Sequence, residues 1–438
     1  MGTKKTLIKN GYLISSSKIS KQDILIDNGK IIEIGESLDI DTDNTIDATN
    51  KYVFPGLIDP QVHFRDPGLT HKEDLRTGSM ACAAGGITTF FEMPNTDPAT
   101  TTIEKLDQKY NTASQKSITN YSFFLGATSN NLEEINNLKN NCGLKIFMGS
   151  STGNLLVDND EALEKIFATC NRVIAVHAED EEILKESAKS IQGNDFSHHT
   201  KARPVEAAVA ATTKAINLAL KYKKRLHVLH LSTAEEVELI RQNKSSNLIT
   251  CETTPQHLLM QAPDVYNEIG AFAQMNPPIR GKRHQEELWR GLLDGTIDCI
   301  ATDHAPHTLD EKKLPYGQAP SGMPGVETSL TLMLNEVSKG RIKLENVVKW
   351  MSENPAKLYR LKNKGFLKPG YDADITIVDM NKQKTISNES MKTKCGWTAF
   401  NGKKTTGWAE TTIVNGNIVY DNEKLVLNFS GKKVDFEY

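Results

Sequence analysis

Residues 56 to 68 read GLIDPQVHFRDPG. The run that leads into them, YVFPGLID (52 to 59), is apolar and rich in strand formers, and Pro67-Gly68 marks a turn. A buried strand ends here and a polar loop begins, with His63 and Arg65 just past the strand. The same pattern recurs in ITTFFEM (87 to 93), NYSFFLGA (120 to 127), GLKIFM (143 to 148), RVIAVHA (172 to 178), RLHVLHL (225 to 231), NLITCET (247 to 253) and IDCIATD (297 to 303). Between these runs lie EDLRTGSMACAAGG, LEEINNLKNN, NDEALEKIFATC, VEAAVAATTKAINLALKYK and KRHQEELWRGLLDG, whose apolar residues fall at helical spacing. Strand–helix units in this number close most economically into an α/β (β/α)8 TIM barrel. Its functional end is the carboxyl end of the strands.

Outside that rhythm, residues 1 to 51 and the tail from 366, with DADITIVD, TTIVNGNIVYDN and KLVLNF, read as short strands joined by turns. The expected division is 1–51 and 366–438 as one small composite β-domain, around a barrel at 52–365.

With 52 Lys+Arg against 55 Asp+Glu, the formal net charge of −3 disfavours a nucleic-acid footprint or a polybasic membrane surface. A small substrate gripped by local charges fits better. Cys82, Cys142, Cys170, Cys251, Cys299 and Cys395 form no C-x-x-C pair and read as buried, reduced thiols. The opening MGTKKTLIKNGYLI is too short in apolar residues for a secretion signal, and no stretch approaches the ~20 apolar residues of a membrane span. A cytoplasmic protein with no membrane association is expected.

His63, Lys145, His177, His230 and Asp303 each terminate a different strand run. Imidazole nitrogens and carboxylate oxygens are what zinc accepts, and a catalytic site keeps one position open. A lone strand-end histidine is more often a hydrogen-bonded core residue. Several ligand types converging on one barrel mouth reverse those odds. Lys145 alternates against Leu144 and Ile146, which turns it toward the barrel mouth, where an unpaired ammonium is costly. It is either a lysine reaching solvent or Asp303, or one whose depressed pKa leaves an amine able to capture carbon dioxide. Arg65 fits an anionic substrate, though an ion pair with Asp66 or Asp74 is about as good from spacing alone. Asn95 is either a ligand contact or a turn cap. His71, His198, His199, His227, His257 and His284 read as loop, strand-face or helix-surface residues.

FPGLIDPQVHFRDPG, KEDLRTGSMACAAGGITTFFEMPNTDPAT, KIFM, VHAED, LHLST, NPPIR, ATDHAPH, SGMPGVET and GYDADITIVD together resemble the dihydroorotase branch of the amidohydrolase superfamily. The resemblance runs through nearly the whole chain. It implies a zinc enzyme interconverting N-carbamoyl-L-aspartate and L-dihydroorotate in pyrimidine synthesis. His63 then matches the second histidine of the family's His-x-His, Lys145 its carboxylated bridging lysine, His177 and His230 its later metal histidines, and Asp303 its strand-eight aspartate, metal ligand and proton carrier. Arg65 and Asn95 match the grip on the substrate carboxylate, and His307 a further substrate contact. Asn276 matches the asparagine on the ring, and Ser321 to Gly325, with Gly322, Pro324 and Gly325, the backbone contact loop. A homodimer and an association with aspartate transcarbamoylase are further expectations.

The sequence departs from the family at Gln61, where the first histidine belongs, and at Gln256, where the family often has a histidine. An amide oxygen is a poor zinc ligand beside imidazole. One zinc is therefore expected to be firmly held by Lys145, His177 and His230, and a second, by His63, Asp303 and the lysine carbamate, to be weak. Two readings follow: an active cyclic-amide hydrolase, with allantoinase and hydantoinase as chemical neighbours of dihydroorotase, or a non-catalytic dihydroorotase-like partner of aspartate transcarbamoylase. Retention of Arg65, Asn95 and Asn276 beside the metal residues favours the enzyme.

Overall fold

The computed structural model describes residues 5–150 and 155–437. The first four residues of the opening run, MGTK, lie outside them. Among the described residues, nine strands drawn from both ends of the chain make one sheet. Thr6–Ile14, Ile19–Asp27, Lys30–Gly35, Asn44–Asp47 and Tyr52–Pro55 come from the start, and Ile375–Thr385, Lys404–Val414, Asn417–Asp421 and Lys424–Leu425 from the end. Tyr52–Pro55 is the seam, pairing with the first of these strands and antiparallel to Ile375–Thr385, with Pro55 opposite Ile375.

The run YVFPGLID is thus two strands that serve two different sheets. They divide at Gly56, whose N–H donates to Asp374 O at 2.7 Å. A Cβ there would lie 2.3 Å from Thr88 Oγ1 and 2.6 Å from Asp374 Cβ, so only glycine allows the sheet and the barrel to touch.

The barrel strands are Leu57–Val62, Ile87–Glu92, Asn120–Phe123 continuing as Leu125–Gly126, Leu144–Phe147, Ile174–His177, Leu226–Val228, Ile249–Thr253 and Cys299–Ile300. All their pairings are parallel. The ring closes where Val62 bridges His304 and where Thr302 Oγ1 donates to Asp59 Oδ2 at 2.6 Å. Helices Leu75–Ala84, Asp160–Thr169, Val205–Tyr222 and Lys282–Asp294 follow the expected periodicity, whereas LEEINNLKNN yields only Leu132–Asn136. Asp74 starts the first of these helices with a capping box, accepting from the N–H groups of Arg76 and Thr77.

Alternation sorts the strand side chains. Leu144 and Ile146 join the large core shared with the helices, while Lys145 lies in register with Ala175 of a second cluster that includes Ile58, Phe91, Phe124, Leu229 and Cys299. That second cluster fills the barrel, and the C-terminal tail closes its amino end. Val434 N donates to Tyr121 O at 3.1 Å, and the Phe436 ring lies 6.1 Å from Phe91. A fully buried side chain such as Val434 contributes roughly 1.5–3 kcal/mol. The six cysteines are buried and none is in a disulfide. Among the described residues no helix is long and apolar enough to cross a membrane.

Candidate active site

At the carboxyl end of the strands a cavity is lined by Gln61, His63, Arg65, Lys145, Phe147, His177, His230, Asn276, Asp303, Ala305, Ser321 and Gly322. Residues read separately from five strand ends thereby share one space. Arg65, His230 and Asp303 carry left-handed backbones, with φ of 64°, 37° and 47°. For residues with a Cβ, such conformations cost of order 1–3 kcal/mol each and concentrate at functional sites.

Two pairs of metal-type side chains face each other across the cavity. On one side His177 Nδ1 stands 3.1 Å from His230 Nε2. Two nitrogens bound to one tetrahedral zinc at about 2.0–2.1 Å would stand roughly 3.3–3.4 Å apart, so the pair is set for a shared ion. Behind it, Glu179 Oε2 lies 2.9 Å from His177 Nε2, off the line of a good hydrogen bond. Arg203 forks onto the same carboxylate through Nε at 3.1 and 3.0 Å. Burial alone would raise Glu179, but Arg203 and His177 outweigh it and hold the group well below the usual carboxylate range. A carboxylate behind a ligating imidazole fixes its tautomer and raises its basicity.

On the other side, His63 Nδ1 donates to Asn95 Oδ1 at 2.7 Å, leaving Nε2 to face Asp303 Oδ1 at 3.0 Å. Burial lowers the pKa of His63, His177 and His230, and for His230 the neighbouring His177 and Lys145 lower it further. All three rings are therefore neutral near pH 7, the form a metal requires. Gln61 Nε2 donates to Asp303 Oδ1 at 3.1 Å, and its buried Oε1 has no partner among the described residues. Gln256 Nε2 donates to Thr302 O at 2.9 Å, and its Oε1 likewise has no partner among them. The donor set fits a metal strongly on the His177/His230 side and weakly on the Gln61 side.

Lys145 lines the same cavity as the two pairs, 1% exposed, with its ammonium 4.4 Å from the centroid of the Phe147 ring and no ion pair among the described residues. Burial pushes it down to about 7, opposed by Asp303 and Glu252. The cost of burying the charged form is present below about pH 7 and fades as pH rises toward the unfolded value near 10.4, because the unfolded chain binds the extra proton across that window. Metal-free Lys145→Met is accordingly expected to be more stable than the metal-free parent by about 1 kcal/mol or more at pH 6, with a smaller margin at pH 9. Denaturant titration at both pH values checks this, and an advantage that does not shrink with pH would count against a buried, uncompensated amine.

Arg65 is also 1% exposed, and burial lowers it to about 10. Its NH2 lies 3.4 Å from His307 Nε2, and among the described residues its Nε has no partner and the side chain makes no ion pair. The alternatives of Asp66 and Asp74 are taken elsewhere: Asp66 pairs with Lys116 at 2.7 Å and Asp74 with Lys394 at 2.9 Å. A buried guanidinium on a cavity wall suits an anionic ligand.

Several other expected residues stand one step behind the cavity wall. Asn95 reaches His63, and His307 Nε2 donates to the loop at Ser321 O, 3.0 Å away. Gly325 N donates to His304 Nδ1 at 3.1 Å, and Pro324 precedes it in the same segment. His199, read as a loop residue, is 5% exposed and bonds Asn276 Oδ1 at 3.0 Å and Met275 O at 2.9 Å, so it sets the amide that lines the cavity. His227, read as lying opposite His230, also faces the barrel interior. His227, Glu252 and Cys299 are buried with ligand atoms all within 4.8 Å of one another, a group that could hold a metal, and His227 Nε2 meets Glu252 Oε2 at 3.0 Å. Parity fails because the strand ends at Val228 and the φ of 37° at His230 re-aims the chain.

The amidohydrolase family model matches residues 52–419. The chain belongs to the amidohydrolase family. Among its relatives in that family, a dihydroorotase of Methanosarcina acetivorans is 39% identical, covering 95% of this chain and 92% of the relative. A dihydroorotase of Ligilactobacillus salivarius is 37% identical, covering 96% of this chain and 99% of the relative. Among solved amidohydrolase-type structures, an L-hydantoinase (dihydropyrimidinase) from Arthrobacter aurescens superposes with a TM-score of 0.95 at 33% identity, covering 99% and 100% of the two chains.

Glu179 escaped the sequence reading, though its place two residues after His177 was a usable signal. Glu179→Gln is expected to weaken zinc binding by roughly 10–100-fold, the usual loss for a carboxylate behind a metal histidine. Competition against a chelator measures it, and an unchanged affinity would separate Glu179 from the metal.

Proposed function

We propose that the chain is a zinc-dependent dihydroorotase, interconverting N-carbamoyl-L-aspartate and L-dihydroorotate in pyrimidine synthesis. The observation that carries this is Arg65, a buried guanidinium on the cavity wall with no ion pair among the described residues. Dihydroorotate brings a carboxylate to that position. Hydantoin and allantoin have none at the equivalent ring carbon, which separates this substrate from those of the hydantoinase-type structural relatives.

Lys145, His177 and His230 would hold the firm zinc, with Lys145 carboxylated, and His63, Asp303 and the same carboxylated lysine a weaker second one beside Gln61. A bound zinc would polarise the scissile carbonyl and favour deprotonation of water. Arg65 binds the substrate carboxylate, and Asn276, set by His199, meets the ring amide. Ser321 and Gly322 close the wall against bulk water. The Asp303 carboxylate takes a proton from the attacking water and returns it to the departing ring nitrogen, a transfer its left-handed backbone aims into the cavity. His63, donating Nδ1–H to Asn95, keeps Nε2 as a lone pair toward Asp303.

A cytoplasmic setting, a homodimer and association with aspartate transcarbamoylase, which supplies N-carbamoyl-L-aspartate, belong to the same proposal. The test is the ratio of kcat/KM for L-dihydroorotate to that for 5-substituted hydantoins and allantoin. A ratio well above one is expected, and faster turnover of a hydantoin or allantoin would replace the assignment by a neighbouring activity.

A further inference from the structure

Lys312 is 1% exposed and makes no ion pair among the described residues. Its ammonium donates to Pro320 O at 2.8 Å, Gly322 O at 2.9 Å and Gln274 O at 3.4 Å, and lies 5.8 Å from the centroid of the Trp397 ring. A Thr308–Glu311 capping box starts the short turn of helix, Leu309–Lys312, that delivers it. We propose that Lys312 is a positioning residue that sets the Pro320–Gly322 segment as a wall of the substrate cavity.

The physical case begins with what that segment does. Ser321 and Gly322 line the cavity, and Gly322 holds a φ of 136° where a Cβ would lie 2.5 Å from Ala305 O and 3.0 Å from His307 Nε2. The backbone is pressed against the strand-eight loop by design of the chain, in a conformation open to glycine. Two carbonyls on either side of Ser321 point away from the cavity to a single ammonium. A neutral side chain cannot donate to three converging carbonyls at once, whereas an ammonium has three protons. Burying that charge without a carboxylate is costly, and the three carbonyl dipoles and the Trp397 face offset the cost only while the segment keeps this shape.

Further bonds tie the same knot. Gln274 Nε2 donates to Ala319 O at 3.2 Å and Ser321 Oγ at 3.1 Å, and Gly322 N donates to Gln274 O at 2.8 Å. Trp397, from the C-terminal segment, donates Nε1–H to His307 O at 2.7 Å, so the composite domain supports the same wall. Lys312 itself touches none of the metal-type residues, and the cavity-side groups it governs are backbone.

That this wall meets substrate rests on the proposed function, so the test has one readout independent of turnover. In the zinc-loaded full chain, Lys312→Met is expected to speed amide hydrogen exchange at residues 319–323 by roughly tenfold or more, the loss of charge-assisted hydrogen bonds. KM for L-dihydroorotate is expected to rise by roughly 10–100-fold with kcat within about threefold and zinc content unchanged, the signature of lost substrate positioning. Lys312→Arg, which keeps a cationic donor, should recover most of the KM. If Lys312→Met is not obtained folded, Lys312→Gln decides, with two donors for three carbonyls: a raised KM at retained kcat supports the role, and a parental KM overturns it. Unchanged exchange at 319–323 overturns the role whatever the substrate. Faster exchange in a chain whose parent ignores dihydroorotate would instead keep the role and discard the proposed function.

Discussion

Lys145→Ala is expected to lose at least about a hundredfold in kcat and to hold zinc far more weakly, while folding as the parent does. Removal of a group that merely supports a ligand already costs roughly 10–100-fold, and Lys145 is proposed as the ligand that both metal positions share. The geometry behind the expectation is specific: the amine lines one cavity with the His177/His230 pair and the His63/Asp303 pair, with no ion pair among the described residues and burial pushing it down to about 7. A lysine serving only to neutralise Asp303 would meet it in an ion pair. Because a carbamate supplies carboxylate oxygens, acetate or propionate should partly restore activity to Lys145→Ala and leave the parent unaffected. Zinc content and kcat, measured with and without the acid, check this, and full activity of the unrescued variant would remove Lys145 from the site.

Arg65→Met is expected to lower kcat/KM for dihydroorotate by about 2–5 kcal/mol in transition-state stabilisation, roughly thirtyfold to several thousandfold, with zinc content unchanged. Arg65 is buried and held at a left-handed φ of 64°, next to a His307 ring that its charge helps keep neutral. Removing the guanidinium also removes a desolvation cost, so the variant should be no less stable than the parent. Steady-state kinetics and thermal unfolding on the same preparation separate the two effects. Unaltered dihydroorotate kinetics would mean that the carboxylate binds elsewhere.

The barrel was legible because its strands are apolar runs, and five of them carry at or near their ends a residue whose chemistry is out of place in a core. Lys145 within GLKIFM is the clearest case, since period-two alternation alone turns it inward. Alternation stopped being informative where strands ended. Val228 is the last residue of its strand, and the left-handed turn at His230 brings both His227 and His230 to the interior. Gly56 was read inside one strand because nothing local shows that Asp374, far along the chain, presses against it. The partners of the site residues were hidden for the same reason. Asn276 meets His199, Glu179 meets Arg203, and Lys312 gathers carbonyls from Gln274 to Gly322, all across separations that the sequence pattern does not encode. KLVLNF gave only the strand Lys424–Leu425, while the residues beyond it close the barrel floor.

The most direct measurement is the conversion of L-dihydroorotate to N-carbamoyl-L-aspartate by the purified full chain, titrated from metal-free to zinc-loaded with product and bound zinc quantified together. Turnover that rises with the first equivalent of zinc, and is abolished in His177→Ala and His230→Ala, is the expected result. Zinc bound by the parent chain with no ring opening in either direction would contradict a catalytic role and leave the barrel as a non-catalytic relative of the enzymes it resembles.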